Sequence, residues 1–236
     1  MNRPVIIAMD FENRQEAERF LTSFSGESLF LKVGMELFYK EGPSLVRDWK
    51  REGHRIFLDL KLHDIPNTVK RAARQLATFG VDMTTVHAAG GVKMMAAAME
   101  GLKEGTTTGD LPICVAVTQL TSTSEEMMKE ELYIAHSLED TVVHYANNAK
   151  RAGLHGVVCS ALEAGHIKEQ VSPSFYTVTP GIRLQSDSHD DQQRVVTPVK
   201  AKSLGSDAIV VGRSITTADD PKAAYEKIKT EWRGKE

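Results

Sequence analysis

One short stretch of the chain, residues 57–68, carries three charged side chains at a spacing suited to acid–base chemistry. It opens as an apolar, strand-like run, and side chains on a strand alternate between its two faces. Asp59 and Lys61 therefore share one face, and Asp64 follows where Pro66 marks the first turn of a helix. A lysine between two carboxylates is held as an ammonium and can deliver a proton. The alternative interpretation is a structural ion pair at the end of a sheet.

Two glycine–arginine motifs in the second half of the chain are typical of phosphate binding. Thr179-Pro-Gly-Ile-Arg183 and Gly212-Arg213 each follow an apolar run. Glycine lets backbone N–H groups approach an anion, and the guanidinium fork matches phosphate oxygens. Surface arginines without a ligand are the alternative interpretation.

Eight apolar, strand-like runs position these motifs, and they alternate with helical patterns. The predicted strands are 4–10, 29–34, 55–61, 82–87, 111–117, 155–159, 175–179 and 207–211. Predicted helices are one after Asn13, 43–52, 66–79, one through Val92 to Leu102, 125–130, 138–152, 161–168, 198–204 and one from Asp220. This alternation predicts a parallel α/β sheet, and eight units predict a (β/α)₈ TIM barrel, with residues 1–236 as a single domain. A doubly wound open sheet is the alternative, but the first turn lacks the glycine-rich dinucleotide motif.

A barrel would bring the charged residues together, because active sites lie at the C-terminal ends of barrel strands. Asp10 ends the first predicted strand and Lys32 lies near the end of the second, beside the strand that carries Asp59 and Lys61. We therefore expect an alternating array of Lys32, Asp59, Lys61 and Asp64. Charges of this kind are costly when buried alone and offset one another when paired. The loops after strands seven and eight are where barrels often bind phosphate.

Composition excludes several classes of function. Charged residues make up 26% of the 236 residues and the net charge is −3, so no basic surface predicts nucleic-acid or membrane binding. No apolar run approaches the roughly 18 residues that span a bilayer. The two cysteines lie in apolar runs and have no C-x-x-C spacing, and residues 1–4 lead directly into a strand. We expect a cytoplasmic protein without a signal peptide, and the histidines show no zinc spacing.

Over essentially its full length, the chain resembles the orotidine 5′-phosphate decarboxylase family. The run from Asp59 to Thr68 is similar to that family's signature, and Asp10, Lys32, the motif ending at Arg183 and the Gly212-Arg213 pair match its pattern. The resemblance implies a (β/α)₈ homodimer that converts orotidine 5′-phosphate to uridine 5′-phosphate (UMP) and CO₂. This reaction is the last step of de novo pyrimidine synthesis, and the family performs it without a metal or cofactor.

The resemblance also implies roles for single residues. Lys61 would protonate C6 of the pyrimidine, Asp59 would face the departing carboxylate, and Asp64 would come from the partner subunit. Ile65 and Thr68 would lie near Asp64, and Asp10 and Lys32 would bind the ribose hydroxyls. Thr121 would lie near the base. Arg183, Gly212 and Arg213 would bind the phosphate, and Gln192, next to Gln193, would close over it. The connections after strands five and seven are the candidate lids.

Two other functions fit parts of the pattern. The first is a metal-assisted sugar-phosphate lyase or decarboxylase on a similar barrel, where carboxylates would hold Mg²⁺. Lys32 and Lys61 inside the cluster disfavour a bound cation. The second is a binding protein for a phosphate ligand without catalysis, but such a protein needs no lysine at the centre of the array.

Overall fold

The fold is a closed barrel of eight parallel strands in the order β1 to β8. The structure is a computed structural model that describes residues 3–184 and 195–234. The strands are β1 Val5–Ala8, β2 Phe30–Val33, β3 Arg55–Leu62, β4 Met83–His87, β5 Ile113–Val117, β6 Gly156–Val158, β7 Tyr176–Thr179 and β8 Ala208–Val211. The pairing of β1 with β8 closes the barrel, which confirms the predicted (β/α)₈ fold and excludes the open sheet.

Helices connect the strands around the outside of the barrel. They are α1 Arg14–Leu21, α2 Met35–Arg51, α3 Pro66–Thr78, α4 Gly91–Gly105, α5 Glu125–Glu130, α6 Leu138–Arg151, α7 Ala161–Gln170, α8 Pro198–Ser203, α9 Arg213–Thr216 and α10 Pro221–Arg233. Within the described ranges, no helix is long and apolar enough to cross a membrane.

The predicted helix at 43–52 corresponds to the second segment of α2, whereas the first segment, from Met35, was not predicted. Helix α2 begins at Met35, and Gly42 interrupts it with a φ of 68° that glycine adopts without a steric penalty. Pro43 then begins the second segment, so the proline marks a kink inside the element. The four-residue helix α9 was not predicted, because one turn is too short to show a helical period.

The strands bury side chains on both faces, as expected for a parallel barrel. The interior is filled by one cluster made of Ile6, Ala8, Phe30, Phe57, Met83, Val115, Val178, Ala208 and Val210. Two larger clusters fill the space between the strands and the helices. Because the interior is packed with side chains, a ligand has room only at an end of the barrel.

Candidate active site

Strand β3 departs from a regular strand where its charged residues lie. It pairs with β4 at Leu58–Thr84 and again at Leu62–Val86, so four residue steps on β3 face two on β4. Within this bulge Lys61 has a φ of 50°, in the left-handed region, which costs of order 1–2 kcal/mol for a residue with a side chain. Bulges of this kind re-aim side chains and are over-represented next to active sites.

The bulge places Lys61 in an alternating array of charges. Lys61 Nζ lies 2.9 Å from Asp59 Oδ2, and Lys32 Nζ lies 3.9 Å from the same oxygen. Lys32 Nζ also lies 3.0 Å from Asp10 Oδ1. Asp59 is buried, whereas the side chain of Asp10 is 63% exposed. The array therefore runs from solvent into the barrel, and each charge in it has a neighbour of opposite sign.

The second oxygen of Asp59 is held by strand β4. The Thr85 hydroxyl donates to Asp59 Oδ1 at 2.8 Å, and the backbone N–H of Lys61 donates to the same hydroxyl at 2.9 Å. Thr85 is fully buried. Sequence reasoning missed this residue, and the only available signal was a pair of threonines in a strand that is otherwise largely apolar.

Asp64 lies apart from the array in this chain. Its Oδ1 accepts a hydrogen bond from the backbone N–H of Ile65 at 2.6 Å, and no ion pair joins it to Lys61 within the part of the chain that the structure describes. Asp64, Ile65 and Thr68 are exposed at the start of α3, where Ile65 provides no side-chain cap. The structure thus brings together three members of the predicted array and leaves the fourth at the surface.

A cavity of about 600 Å³ opens above the array, within the size range of small-molecule sites. It connects the charged array with the two glycine–arginine motifs. Its lining includes Asp10, Lys32, Asp59 and Lys61 together with Arg183, Gly212 and Arg213. Its apolar lining includes Phe11, Phe57, Val117, Val158, Pro180 and Val210. Thr121, on the loop after β5, also lines it, whereas Asp64, Ile65 and Thr68 are not among the described residues that do.

The loop after β7 folds back on the chain that precedes α8. Gly181 has a φ of 76°, the Arg183 N–H donates to Val196 O at 3.1 Å, and the Val196 N–H donates to Gly181 O at 3.1 Å. These bonds hold Arg183, which is only 8% exposed, at the cavity wall. Gln192 and Gln193 lie outside the described residues.

Two stacked histidines, His63 and His87, lie near the lysine. The rings of His63 and His87 lie 5.3 Å apart, and His87 Nδ1 accepts from the Ala89 N–H at 3.3 Å. Burial lowers the pKa of His87, and the nearby His63 and Lys61 lower it further. His87 is therefore a neutral hydrogen-bond acceptor at neutral pH. Among residues 3–184 and 195–234, no group of three histidine, cysteine or acidic side chains is arranged to hold a metal ion.

Comparison with known proteins places this geometry in a family. A family model described as Orotidine 5'-phosphate decarboxylase / HUMPS family matches residues 3–228. Two relatives named Orotidine 5'-phosphate decarboxylase are similar over their whole length. The one from Geobacillus sp. is 58% identical over 237 residues (100% of this chain and 99% of the relative), and the one from Bacillus cytotoxicus is 59% identical over 235 residues (99% of each).

A solved structure has the same fold. The crystal structure of Orotidine 5'-phosphate decarboxylase from Lactobacillus acidophilus matches with a TM-score of 0.90 and 44% sequence identity. The match covers 99% of this chain and 100% of that chain.

Proposed function

The chain belongs to the orotidine 5′-phosphate decarboxylase / HUMPS family, and we propose that Lys61 is the proton donor in its reaction. The enzyme is a carboxy-lyase that converts orotidine 5′-phosphate to UMP and CO₂, the last step of de novo pyrimidine synthesis. The observation that carries the proposal is the position of Lys61 Nζ, 2.9 Å from a buried carboxylate at the cavity and on a strained bulge.

The chemistry explains why a fixed ammonium group is needed. Breaking the C6–carboxylate bond releases CO₂ and leaves the electron pair on C6, in the plane of the pyrimidine ring and outside its π system. Delocalisation cannot stabilise this charge, so the site must supply a positive charge close to C6. The Lys61 ammonium supplies that charge and then transfers a proton to C6, after which solvent reprotonates the amine.

The neighbours of Lys61 hold its side chain in place. Asp59 accepts from Lys61 and faces the departing carboxylate of the substrate, and Asp10 and Lys32 bind the ribose hydroxyls. Their mutual ion pairs support this assignment, because they hold the four groups together along the same cavity.

The phosphate binds at the other side of the cavity. Arg183, Gly212 and Arg213 hold it, Gln192 closes over it, and Thr121 lies near the base. The phosphate does not react, so its binding energy can be used to close the loops after β5 and β7 and to stabilise the transition state. The arrangement is supported by the lining of the cavity, which contains both arginines and the glycine.

The protein acts as a homodimer in this proposal, with Asp64 of each chain completing the array of the other. The exposed position of Asp64, Ile65 and Thr68 at the start of α3 supports it, because these side chains are open to solvent and do not line the cavity of their own chain. A twofold axis makes the contact reciprocal, so each chain gives and receives the same residues. The cytoplasmic location stays a prediction.

Loss of the absorbance of orotidine 5′-phosphate in the presence of the purified protein tests the reaction directly. We expect full activity after treatment with a chelator, since the proposal uses neither metal nor cofactor. Activity that depends on added Mg²⁺ would instead favour the sugar-phosphate lyase. Binding of the nucleotide without turnover would favour the non-catalytic phosphate-binding protein.

Mixing two inactive variants tests the shared site. Lys61→Ala and Asp64→Ala homodimers should each be weak, and a mixed dimer contains one site with both wild-type residues and one site with both lesions. Subunit exchange should therefore restore up to half of the wild-type activity per mixed dimer formed. If mass spectrometry shows exchange while activity stays at the level of the separate variants, Asp64 acts within its own chain.

A further inference from the structure

Thr85 occupies a position between the two central residues of the site without lining the cavity itself. Its hydroxyl donates to Asp59 Oδ1 at 2.8 Å and accepts from the Lys61 backbone N–H at 2.9 Å. Thr85 is 0% exposed and lies on β4, the strand that pairs with β3 on either side of the bulge. One side chain thus contacts both the carboxylate and the backbone of the lysine.

The direction of these two bonds is fixed by the chemistry of the groups. A backbone N–H can only donate, so the hydroxyl must accept from Lys61. The single hydroxyl hydrogen is then available to Asp59, whose ionised carboxylate can only accept. The chain of donation therefore runs from Lys61 N–H to Thr85 to Asp59, and no alternative orientation of the hydroxyl satisfies both partners.

This arrangement divides the two oxygens of Asp59 between two tasks. Oδ1 is bound to Thr85, and Oδ2 faces the Lys61 ammonium at 2.9 Å and the Lys32 ammonium at 3.9 Å. A carboxylate held at one oxygen cannot rotate about its last bond without losing that hydrogen bond. Thr85 thereby fixes the direction in which Asp59 presents its second oxygen to the lysines.

The same hydroxyl also stabilises the unusual backbone of Lys61. At a bulge the ladder between strands is disrupted, and the extra residue is left without its normal partner. Here the Lys61 N–H donates to a side chain of β4, and this bond holds a residue whose φ is 50°. Since the start of the lysine side chain depends on this backbone, the bond sets where the ammonium group can reach.

We propose that Thr85 is a positioning residue for the decarboxylation, because it orients the Asp59 carboxylate and fixes the bulge that carries Lys61. The proposal rests on the proposed function of these two residues and adds a third residue on a different strand. Thr85 acts through its neighbours, so its loss should slow the chemical step and leave the binding of the nucleotide nearly unchanged.

The neighbouring residue on β4 provides a matched control. Thr84 is 1% exposed, and its hydroxyl donates to the backbone carbonyl of Leu58 at 3.0 Å. Thr84→Val and Thr85→Val therefore each remove one buried hydroxyl from the same strand. Thr84 is not among the described residues that line the cavity, and its hydroxyl bonds to the backbone of Leu58 and not to the charged array, so only the second change should affect catalysis.

Steady-state kinetics with orotidine 5′-phosphate, the Kd for UMP and amide hydrogen exchange at Lys61 together test the proposal. For Thr85→Val we expect kcat to fall about 10- to 100-fold, since small misplacements of catalytic groups have effects of this size. KM and the Kd for UMP should stay within about twofold of wild type. The Lys61 amide should exchange faster, while Thr85→Ser and Thr84→Val should keep wild-type kcat and wild-type exchange at Lys61.

The possible outcomes separate this proposal from the proposed function. A wild-type protein that does not decarboxylate the nucleotide would overturn the function and the positioning role with it. An active wild type in which Thr85→Val has the same kcat as Thr84→Val would overturn only the role of Thr85. An equal loss of kcat and UMP affinity would also overturn it, because the hydroxyl would then maintain the whole site. Should Thr85→Val not fold, Thr85→Ala leaves space for water and must still lower kcat.

Discussion

The two ends of the barrel use the same residue types in different ways. At the C-terminal end, Asp59 accepts from the Lys61 ammonium and the Thr85 hydroxyl and lies 3.9 Å from the Lys32 ammonium, and it has no backbone partner among the described residues. At the N-terminal end, Asp82 and Asp207 also pair with lysines, but each of them is bound to the backbone of a neighbouring strand as well.

The two N-terminal carboxylates form equivalent clamps. Asp82 Oδ2 accepts from Lys50 Nζ at 2.7 Å and from the Ile56 N–H at 2.7 Å, while its own N–H donates to Ile56 O. Asp207 Oδ2 accepts from Lys168 Nζ and from the Thr177 N–H, and its own N–H donates to Thr177 O. Each clamp thus ties a helix lysine and the start of one strand to the residue that precedes the next strand.

The comparison shows that the partners of an ion pair indicate its role better than the pair itself. A carboxylate that also accepts from the backbone is fixed by the fold, and the lysine paired with it is held in the same structural contact. A carboxylate whose partners are mainly ammonium groups leaves those groups oriented toward an open cavity. Lys61 lines that cavity, whereas Lys50 and Lys168 do not belong to it among the described residues.

The largest expected effect separates the lysines at the two ends. Lys61→Ala should lower kcat by about 10³-fold or more and leave the fold intact, because both the proton donor and the stabilising cation are lost. Lys168→Ala should leave kcat near wild type and lower the free energy of unfolding. Steady-state kinetics and circular dichroism check both variants. A folded Lys61→Ala protein that keeps more than about a tenth of wild-type kcat would rule out the assignment.

A smaller effect is expected at the phosphate side of the C-terminal end. Arg213→Ala should lower kcat/KM for orotidine 5′-phosphate by about 10- to 100-fold, since a charge-assisted hydrogen bond to the phosphate is lost. The same change should have much less effect on orotidine, which lacks the phosphate. Assays with both substrates make the comparison, and equal losses would remove Arg213 from the phosphate site.

The N-terminal clamps should affect stability alone. Asp207→Ala leaves the Lys168 ammonium and the Thr177 N–H without this acceptor, so we expect the free energy of unfolding to fall by about 2–3 kcal/mol. Denaturant unfolding measures this loss, and kcat of the folded variant should stay at the wild-type value. A large fall in kcat at unchanged stability would show that the two ends do not divide their roles in this way.

The smallest effect concerns two histidines at the N-terminal end, the buried His54 and the half-buried His155. His54 Nδ1 accepts from the Leu29 N–H at 3.2 Å, His155 Nδ1 accepts from the Cys114 N–H at 3.0 Å, and burial is the main cause that lowers the pKa of both. Their neutral forms are bound in the folded state. The contribution of these two histidines to the free energy of unfolding is therefore fully present above the ordinary histidine pKa of 6.5. It declines as pH falls below 6.5, because the histidines of the unfolded chain take up protons first.

Unfolding measured between pH 7.5 and pH 5 checks this direction. His155→Gln keeps an acceptor but cannot titrate, so the decline should become less steep. The exposed His136→Gln is the control and should leave the slope unchanged. A wild-type stability that rises as pH falls below 6.5 would contradict the sign.

Much of the fold followed from local patterns in the sequence. All eight strands lie where apolar runs were found, because strands buried on both faces give such runs. The α5 bounds Glu125–Glu130 match the prediction, and Pro66 and Pro221 each begin a helix as expected. The first segment of α2 was not predicted, since a kink at a glycine depends on how two helical segments pack and has no periodic signal.

The site was less predictable than the fold for a physical reason. Asp59 and Lys61 were expected to meet through the regular alternation of a strand, but they meet across a bulge with Lys61 in the left-handed region. The bulge arises from the pairing of β3 with β4, which is a contact distant in sequence. Thr85 and the pairing of Asp10 with Lys32 depend on the same kind of contact. The residue types and the alternation of Lys32, Asp59 and Lys61 could therefore be predicted from sequence, whereas the bulge that orients Lys61 could not.

The two clamps also lie symmetrically in the barrel. Asp82 precedes β4 and Asp207 precedes β8, while Lys50 and Lys168 lie in the helices that precede β3 and β7, so half a turn about the barrel axis relates one clamp to the other. The arrangement gives the barrel an approximate twofold internal symmetry. The cavity does not follow this symmetry, because Asp10, Lys32, Asp59 and Lys61 come from the first half of the barrel and Arg183 and Arg213 come from the second.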